Sequence, residues 1–219
     1  GQVVFNHPIG VRFPVGPPIN SMKLLRIGKV NHEKPAFIDV DGVTRDLSSI
    51  IQDLNPETIN QKTIELINNT DPKKLPEISN KTRIGACVFN PQKFIGIGLN
   101  YRDHAEETGM KIPSEPIVFL KANSCIIGAY DDVLIPKKSK KTDWEVELGI
   151  VIGKKAQYIS EKNSLDHVFG YCIVNDISER EFQIERCGQW AKGKSCDTFG
   201  PIGPYLVTKD EIQNVQNLN

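Results

Sequence analysis

Short runs rich in apolar residues recur along the chain between polar and turn-forming residues, and this pattern is typical of β-strands. Near the start it predicts strands at residues 23–27, 36–40 and 43–46, with a turn at Asp41 and Gly42 between the last two. The number of such stretches favours an α+β, β-rich fold with a few short helices. The remaining predicted strands lie at residues 93–99, 117–120, 133–136, 144–152, 170–175 and 205–207.

Helices are predicted in three places. In residues 47–69 the helical spacing of apolar residues is interrupted by Pro56, which predicts two short helices instead of one long helix. Residues 100–109 are predicted to run from a loop into a short helix. Residues 178–186 are also predicted to be helical, because the residues Ser178 and Glu181 have the spacing of a capping box.

Composition shifts divide the chain into three parts. Residues 1–21 are rich in proline, lack periodicity and precede Met22, so we interpret them as a leader or an artificial upstream extension. Residues 22–82 are predicted to form a small N-terminal β/α module that ends in a proline-containing linker. Residues 83–219 then form the predicted catalytic domain.

Charge and cysteine content narrow the possible functions. The 27 lysines and arginines balance the 27 aspartates and glutamates, so no overall positive field favours nucleic acid or an anionic membrane. The five cysteines are odd in number and form no CxxC pair, which argues against a disulfide framework or a zinc site. Without a long apolar run or a secretory signal, the sequence predicts a cytoplasmic protein with a small-molecule partner.

Three acidic residues are candidate metal ligands. Glu145 and Glu147 alternate with apolar residues in a predicted strand, so both project from the same face. Asp176 ends the next predicted apolar strand. Carboxylate oxygens suit a hard divalent cation. The alternatives are a solvated acidic face for the glutamates and a turn or capping role for Asp176.

A histidine and a lysine offer further chemistry. His104 and Glu107 are three residues apart and would share one face of a helix, where the carboxylate can make the imidazole a better base. Lys194 lies in a Gly-Lys-Ser sequence, but no apolar strand leads into it, so a phosphate-binding P-loop is a poor interpretation. Neutralising a substrate carboxylate or enolate fits Lys194 better. The alternative for each of these groups is an ordinary exposed side chain.

Together these motifs resemble the fumarylacetoacetate hydrolase family. The resemblance covers residues 94–211 and rests on the order of its motifs. They are GLNYRDH at 98–104, PIVFLK at 116–121, DWEVEL at 143–148, GY at 170–171, NDISER at 175–180 and GKS at 193–195.

The resemblance implies a mixed β-roll catalytic domain, usually a homodimer, that binds Mg²⁺, Mn²⁺ or Ca²⁺. It implies that Glu145, Glu147 and Asp176 hold the metal and that His104 with Glu107 acts on a water molecule. It also implies that Lys121 and Lys194 stabilise negative charge. Substrate contacts are implied for Tyr101, Arg180 and Gln183.

The activity implied is metal-dependent cleavage of a carbon–carbon bond in 2,4-dioxo acids, such as acylpyruvates or 2,4-diketo-3-deoxy sugar acids, to pyruvate or a related acid. An oxaloacetate-type decarboxylase, a 2-hydroxymuconate-type isomerase and a ureidoglycolate lyase are alternatives on the same scaffold. Family members usually continue beyond residues 207–212 with further strands. We therefore expect the C-terminal part of the family fold to be missing here, and an inactive fragment is a further alternative.

Overall fold

The structure is a computed structural model that describes residues 22–107, 109 and 111–218, except for the side chain of His104. The predicted extension at residues 1–21 lies outside this part of the chain. Within it, one large sheet and two strand pairs account for the β-structure. The strands are β1 Lys23–Ile27, β2 Lys34–Ile38, β3 Thr44–Asp46, β4 Phe94–Gly98, β5 Ile117–Lys121, β6 Ile126–Gly128, β7 Thr142–Asp143, β8 Val146–Ile152, β9 Val168–Asn175, β10 Ser178–Glu179 and β11 Gly200–Thr208.

The large sheet has the strand order β3-β2-β1-β11-β9-β8, and β6 pairs in parallel with β11. All other neighbours in it are antiparallel. Strands from both predicted segments therefore share one sheet, and whether the segments are separate domains stays a prediction. The two strand pairs are β4–β5 and β7–β10, both antiparallel.

The helices are short. No helix in the described ranges is long and apolar enough to span a bilayer. They are α1 Gln61–Asn68, α2 Arg102–Glu107, α3 Trp190–Lys194, a π-helical turn at Glu181–Glu185, and 3-10 turns at Pro72–Lys74, Asn123–Cys125, Glu161–His167 and Lys209–Glu211.

Most predicted strands are confirmed, but the first helix predicted within residues 47–69 is wrong. Only α1 forms there, and residues 47–60 are turns and bends. The Asn55 side chain accepts hydrogen bonds from the backbone N–H groups of Glu57 and Thr58, which satisfies the backbone in a turn instead of a helix. The apolar residues there still point inward, since Ile51, Leu54 and Ile59 are buried.

Two other local predictions need correction. Residues 133–136 form no strand, and their backbone is irregular. Residues 178–186 are not a regular helix, because Ser178 and Glu179 pair with β7 before the π-helical turn begins. The Ser178 hydroxyl donates to the Asp176 carbonyl oxygen instead of capping a helix, so the capping box is not formed.

The main core lies between the large sheet and the turns of residues 47–60. Leu24, Leu47, Leu54 and Leu206 are fully buried within it. Cys172 and Val174 of β9 belong to the same cluster. This packing fixes β9, the strand that runs directly into Asp176.

The opposite sides of several strands are exposed and apolar. Ile95 and Ile97 of β4 lie across from Leu120 and Val118 of β5, and all four side chains are exposed. Exposed apolar residues of this kind in one patch mark a contact surface or a site of association. Strand β8 shows the same pattern, with Val146, Ile150 and Ile152 exposed.

Candidate active site

The three predicted metal ligands come from neighbouring ends of β8 and β9. Glu147 lies in β8 opposite Val174 of β9, and Asp176 directly follows β9. The backbone N–H of Asp176 donates to the carbonyl oxygen of Glu145 at 2.8 Å. Because the two strands are antiparallel, the start of β8 lies beside the end of β9, and this register brings the three carboxylates together.

Lys194, the last residue of α3, lies between two of these carboxylates. Its Nζ is 2.7 Å from Glu145 Oε2 and 2.7 Å from Asp176 Oδ2. The two oxygens can therefore be no farther apart than twice 2.7 Å, or 5.4 Å. Lys194 is only 2% exposed. A single buried positive charge thus holds Glu145 and Asp176 together.

Lys121 contacts the same aspartate from the other side. Its ammonium, 3% exposed, donates to Asp176 Oδ1 at 2.6 Å. It also donates to the carbonyl oxygens of Ile177 at 3.3 Å and Lys194 at 2.5 Å. A lysine ammonium has three donors, and all three are used by the protein here. Burial lowers the pKa of Lys121, and Asp176 opposes that shift.

Glu147 carries the most unusual protonation equilibrium of the site. Burial, together with the nearby charges of Glu145 and Asp176, raises its pKa to about 7. A hydrogen bond from the Tyr101 hydroxyl partly opposes this shift. The Tyr101 oxygen also accepts the backbone N–H of Leu148 at 3.1 Å, so Tyr101 is placed against β8 beside Glu147. An added positive charge would be stabilised at this position.

Arg180 and Gln183 are also brought to the site. Arg180 Nη2 lies 2.5 Å from Glu145 Oε1 and 2.9 Å from Asp143 Oδ2. Its Nη1 donates to Gln183 Oε1 at 3.2 Å, and Gln183 is buried in the π-helical turn. Although burial lowers the pKa of Arg180, the two carboxylates raise it overall. The substrate contacts predicted for Arg180 and Gln183 are not tested by this arrangement and stay a prediction.

Sequence reasoning missed the aromatic wall beside Lys194. The Lys194 Nζ lies 5.1 Å from the centre of the Phe119 ring, which meets Trp190 edge-on at 5.6 Å. The two rings pack on bare backbone of β4, since a Cβ at Gly96 would lie 2.2 Å from Phe119 and one at Gly98 would lie 2.7 Å from Trp190. The alternating glycines of β4 were the available signal.

Close packing against backbone requires a glycine at position 193, directly before Lys194. A Cβ at this position would lie 2.5 Å from the Glu179 carbonyl oxygen and 2.6 Å from the Gln183 backbone nitrogen. Because both atoms belong to the backbone, they cannot move aside easily. The glycine therefore lets α3 pack directly on the π-helical turn, and this packing places Lys194.

A second missed residue is Glu179, which is fully buried. Its carboxylate accepts hydrogen bonds from the Ser139 hydroxyl, from Thr142 Oγ1 at 3.1 Å and from the backbone N–H groups of Lys141 and Glu181. Burial opposes ionisation, but these bonds lower the pKa of Glu179 overall. Glu179 thereby fixes the loop that leads to Asp143 and Glu145.

The predicted pair of His104 and Glu107 lies on α2. The Glu107 side chain is exposed, and the His104 side chain lies outside the described part of the structure. Their action on a water molecule therefore stays a prediction. Tyr101, immediately before α2, connects this helix to Glu147.

The carboxylate set has the right chemistry for a hard cation, because Glu145, Glu147 and Asp176 offer only oxygen donors. As placed, however, the described His, Cys, Asp and Glu side chains include no group of three that could hold a metal ion. In this arrangement Lys194 and Arg180 engage the two carboxylate oxygens of Glu145.

Comparison with curated proteins finds relatives in Burkholderia. A Burkholderia lata protein, provisionally named a hydrolase, is 55% identical over 198 residues, which cover 90% of this chain and 70% of the relative. A Burkholderia cenocepacia protein with the same kind of name is 56% identical over the same shares.

Solved structures of two enzymes are also similar to this chain. A fumarylacetoacetate hydrolase from Exiguobacterium antarcticum is 31% identical with a TM-score of 0.71, and the match covers 87% of this chain and 68% of that one. A 5-carboxymethyl-2-hydroxymuconate delta-isomerase from Mycobacterium smegmatis is 29% identical with a TM-score of 0.62, over 86% of this chain and 66% of the other. The model of the fumarylacetoacetate hydrolase C-terminal domain matches residues 93–219. The chain therefore belongs to the fumarylacetoacetate hydrolase family of enzymes.

Proposed function

We propose that this chain is a metal-dependent hydrolase that cleaves a carbon–carbon bond in 2,4-dioxo acids. Enzymes of the family typically use a divalent metal. The observation that carries the proposal is the convergence of Glu145, Glu147 and Asp176 at one end of β8 and β9. Mg²⁺ or Mn²⁺ is the proposed cation, with Ca²⁺ as a further possibility, because all three ligands are carboxylates.

When bound, the cation would polarise the carbonyl oxygens of the substrate. The other steps belong to side chains of this chain. His104 with Glu107 takes a proton from water, and the resulting hydroxide adds to the distal carbonyl carbon. The bond between that carbon and C3 then breaks, and its electron pair stays on C3 as an enolate, which is protonated to give pyruvate and a carboxylic acid.

Lys194 and Arg180 supply positive charge for this chemistry. Lys194 would stabilise the enolate oxygen, since its ammonium lies next to the carboxylates and 5.1 Å from the centre of the Phe119 ring. Arg180 has the planar donor geometry that suits a substrate carboxylate. The wall formed by Phe119 and Trp190 limits access of bulk water to Lys194.

An isomerase is the second candidate. It is supported by the similarity to solved structures that are named isomerases of 2-hydroxyhepta-2,4-diene-1,7-dioate or of 5-carboxymethyl-2-hydroxymuconate. In an isomerase the substrate's 2-hydroxyl group would lose its proton to give a dienolate, which would be protonated at a more distant carbon, without addition of water and without cleavage of a carbon–carbon bond. Both candidates need the same positive charges, so only the products separate them.

The test is a substrate panel assayed with Mg²⁺, Mn²⁺ or Ca²⁺ and after chelation. Acylpyruvates and sugar-derived 2,4-dioxo acids test the hydrolase by pyruvate release, oxaloacetate tests a decarboxylase, and 2-hydroxymuconate derivatives test the isomerase by their ultraviolet spectra. Glu147→Gln should abolish metal-dependent turnover, whereas Glu161→Gln, an exposed carboxylate in a 3-10 turn, should not. Pyruvate release that is unaffected by chelation and by Glu147→Gln would reject the proposal.

The homodimer implied by the family resemblance is also a proposal for this chain. Sedimentation velocity across a range of protein concentrations would test it directly. A purely monomeric species at all concentrations would contradict it.

A further inference from the structure

We propose that Lys194 is an internal counter-ion that binds Glu145 and Asp176 in the metal-free chain and must leave this position before a divalent cation binds. This inference rests on the proposed function, because it assumes a cation at these carboxylates. It concerns how the chain itself controls that binding.

The argument begins with the space that Lys194 occupies. Its Nζ is 2.7 Å from one oxygen of Glu145 and 2.7 Å from one oxygen of Asp176. A divalent cation bound to the same two oxygens would lie roughly 2.0 to 2.6 Å from each. The ammonium and the cation would therefore compete for the same small region between the carboxylates.

Electrostatics reinforces this competition. Lys194 is 2% exposed, so water screens its charge poorly. A divalent cation beside a buried ammonium would be repelled, and both would compete for the negative charge of Glu145 and Asp176. The two positive groups are thus mutually exclusive partners of this carboxylate pair.

The Lys194 ammonium can move toward the Phe119 ring. It is the last residue of α3, its stem is flexible, and the face of the Phe119 ring lies 5.1 Å from its Nζ. Moving toward the ring would keep the charge in the site. The displaced ammonium would then be available to a bound substrate anion, so metal binding and the readiness of Lys194 for substrate would be linked.

Lys121 shows by contrast what a fixed lysine looks like. It binds the other oxygen of Asp176, and its two remaining donors are held by the carbonyl oxygens of Ile177 and Lys194. It therefore does not lie between the carboxylates and need not move. The family resemblance implies the same role for Lys121 and Lys194, but their contacts give them different roles.

The test is metal affinity, measured on the whole chain by isothermal titration with Mn²⁺ and without substrate. Removing the competing charge in Lys194→Met should tighten Mn²⁺ binding by about tenfold or more, since about 1.4 kcal/mol corresponds to a factor of ten. Lys192→Met, an exposed lysine on the same helix, is the matched control and should bind like the unchanged chain. Equal or weaker binding by folded Lys194→Met would overturn the inference.

A second measurement needs no variant that could misfold. In the unchanged chain labelled with ¹⁵N-lysine, buried ammonium groups in ion pairs should give resolved NMR signals. Titration with diamagnetic Mg²⁺ should shift or remove one of the two buried signals, that of Lys194, and leave that of Lys121 in place. Mg²⁺ binding that leaves both buried signals unchanged would overturn the inference. If neither the unchanged chain nor Lys194→Met binds Mg²⁺ or Mn²⁺, the proposed function itself fails.

Discussion

The Lys121 ammonium lies 2.6 Å from Asp176 Oδ1, and this buried ion pair connects the end of β5 to the end of β9. Replacing Lys121 with methionine would leave the buried carboxylate with less compensation. We expect the free energy of unfolding to fall by about 3 kcal/mol, the lower end for a broken buried pair, because Lys194 still contacts Asp176. Urea unfolding of Lys121→Met, with exposed Lys93→Met as control, measures this; equal stability of the two variants would show that the pair contributes little.

Protonation of Glu147 should make the stability of the metal-free chain depend on pH. Its pKa rises from 4.5 to about 7 on folding, so the folded state binds this proton more tightly than the unfolded state. The resulting stabilisation is fully present below pH 4.5 and is lost as the pH rises through about 7. We expect a change of about 1 to 2 kcal/mol, reduced because the side chain keeps part of its hydration. Glu147→Gln should remove this component from chelated samples, and an identical pH profile for both proteins would contradict the assignment.

Metal binding should release a proton from the same carboxylate. A cation needs the ionised form of Glu147, so affinity for Mn²⁺ should increase up to about pH 7 and then level off. Titration calorimetry at pH 6 in buffers of different ionisation enthalpy would count the protons. We expect about one proton at most per Mn²⁺ in the unchanged chain and a smaller number in Glu147→Gln; equal counts would locate the proton elsewhere.

Gly193→Ala should disturb the site without changing any charge. The new methyl group would meet two backbone atoms at 2.5 and 2.6 Å, so α3 would have to move away from the π-helical turn. Overpacking of this kind costs about 1 to 3 kcal/mol. We expect lower stability by thermal unfolding together with a stronger thermal response to Mn²⁺, because an ammonium moved away from Glu145 and Asp176 would compete less with the cation. Exposed Lys192→Ala on the same helix is the control, and an unchanged Mn²⁺ response in Gly193→Ala would show that α3 packing does not place Lys194.

The apolar patch on β4 and β5 should drive self-association. Leu120 is 57% exposed and Ile97 is 38% exposed, and both lie on the same strand pair. Replacing both with lysine should reduce light scattering at high protein concentration, because the exposed apolar area falls and charge is added. Leu165→Lys changes an exposed leucine away from this patch and serves as control. Equal scattering from the two variants would show that the patch is not the cause.

The sequence was most informative where a local pattern determines structure. Short runs rich in apolar residues located β1, β4, β5 and β9, because such runs are typical of strands. Alternation of side chains predicted that Glu145 and Glu147 lie in one strand, at residues 144–152, and share a face. In the structure Glu147 lies in β8, whereas Glu145 directly precedes it. The order of motifs then pointed to Asp176, which the structure brings to Glu145.

What the sequence could not predict depends on long-range packing. Alternation along β8 does not say which face is covered, and in the structure it is the apolar residues Val146, Ile150 and Ile152 that are exposed. The helix predicted at residues 178–186 failed because pairing of Ser178 and Glu179 with β7 competes with helix formation. The separate partners of Lys121 and Lys194 likewise depend on contacts between distant segments.

Strand β9 connects the main core to the carboxylate cluster of the candidate active site. Cys172 and Val174 are anchored in the main core, and Asp176 follows only two residues after Val174. The position of Asp176 is therefore fixed by the packing of Cys172 and Val174 in the main core. On heating, the carboxylate cluster should lose its arrangement cooperatively with the large sheet. A cavity-forming change such as Val174→Ala should therefore lower the midpoint temperature for loss of the cluster and that for unfolding of the sheet by the same number of degrees.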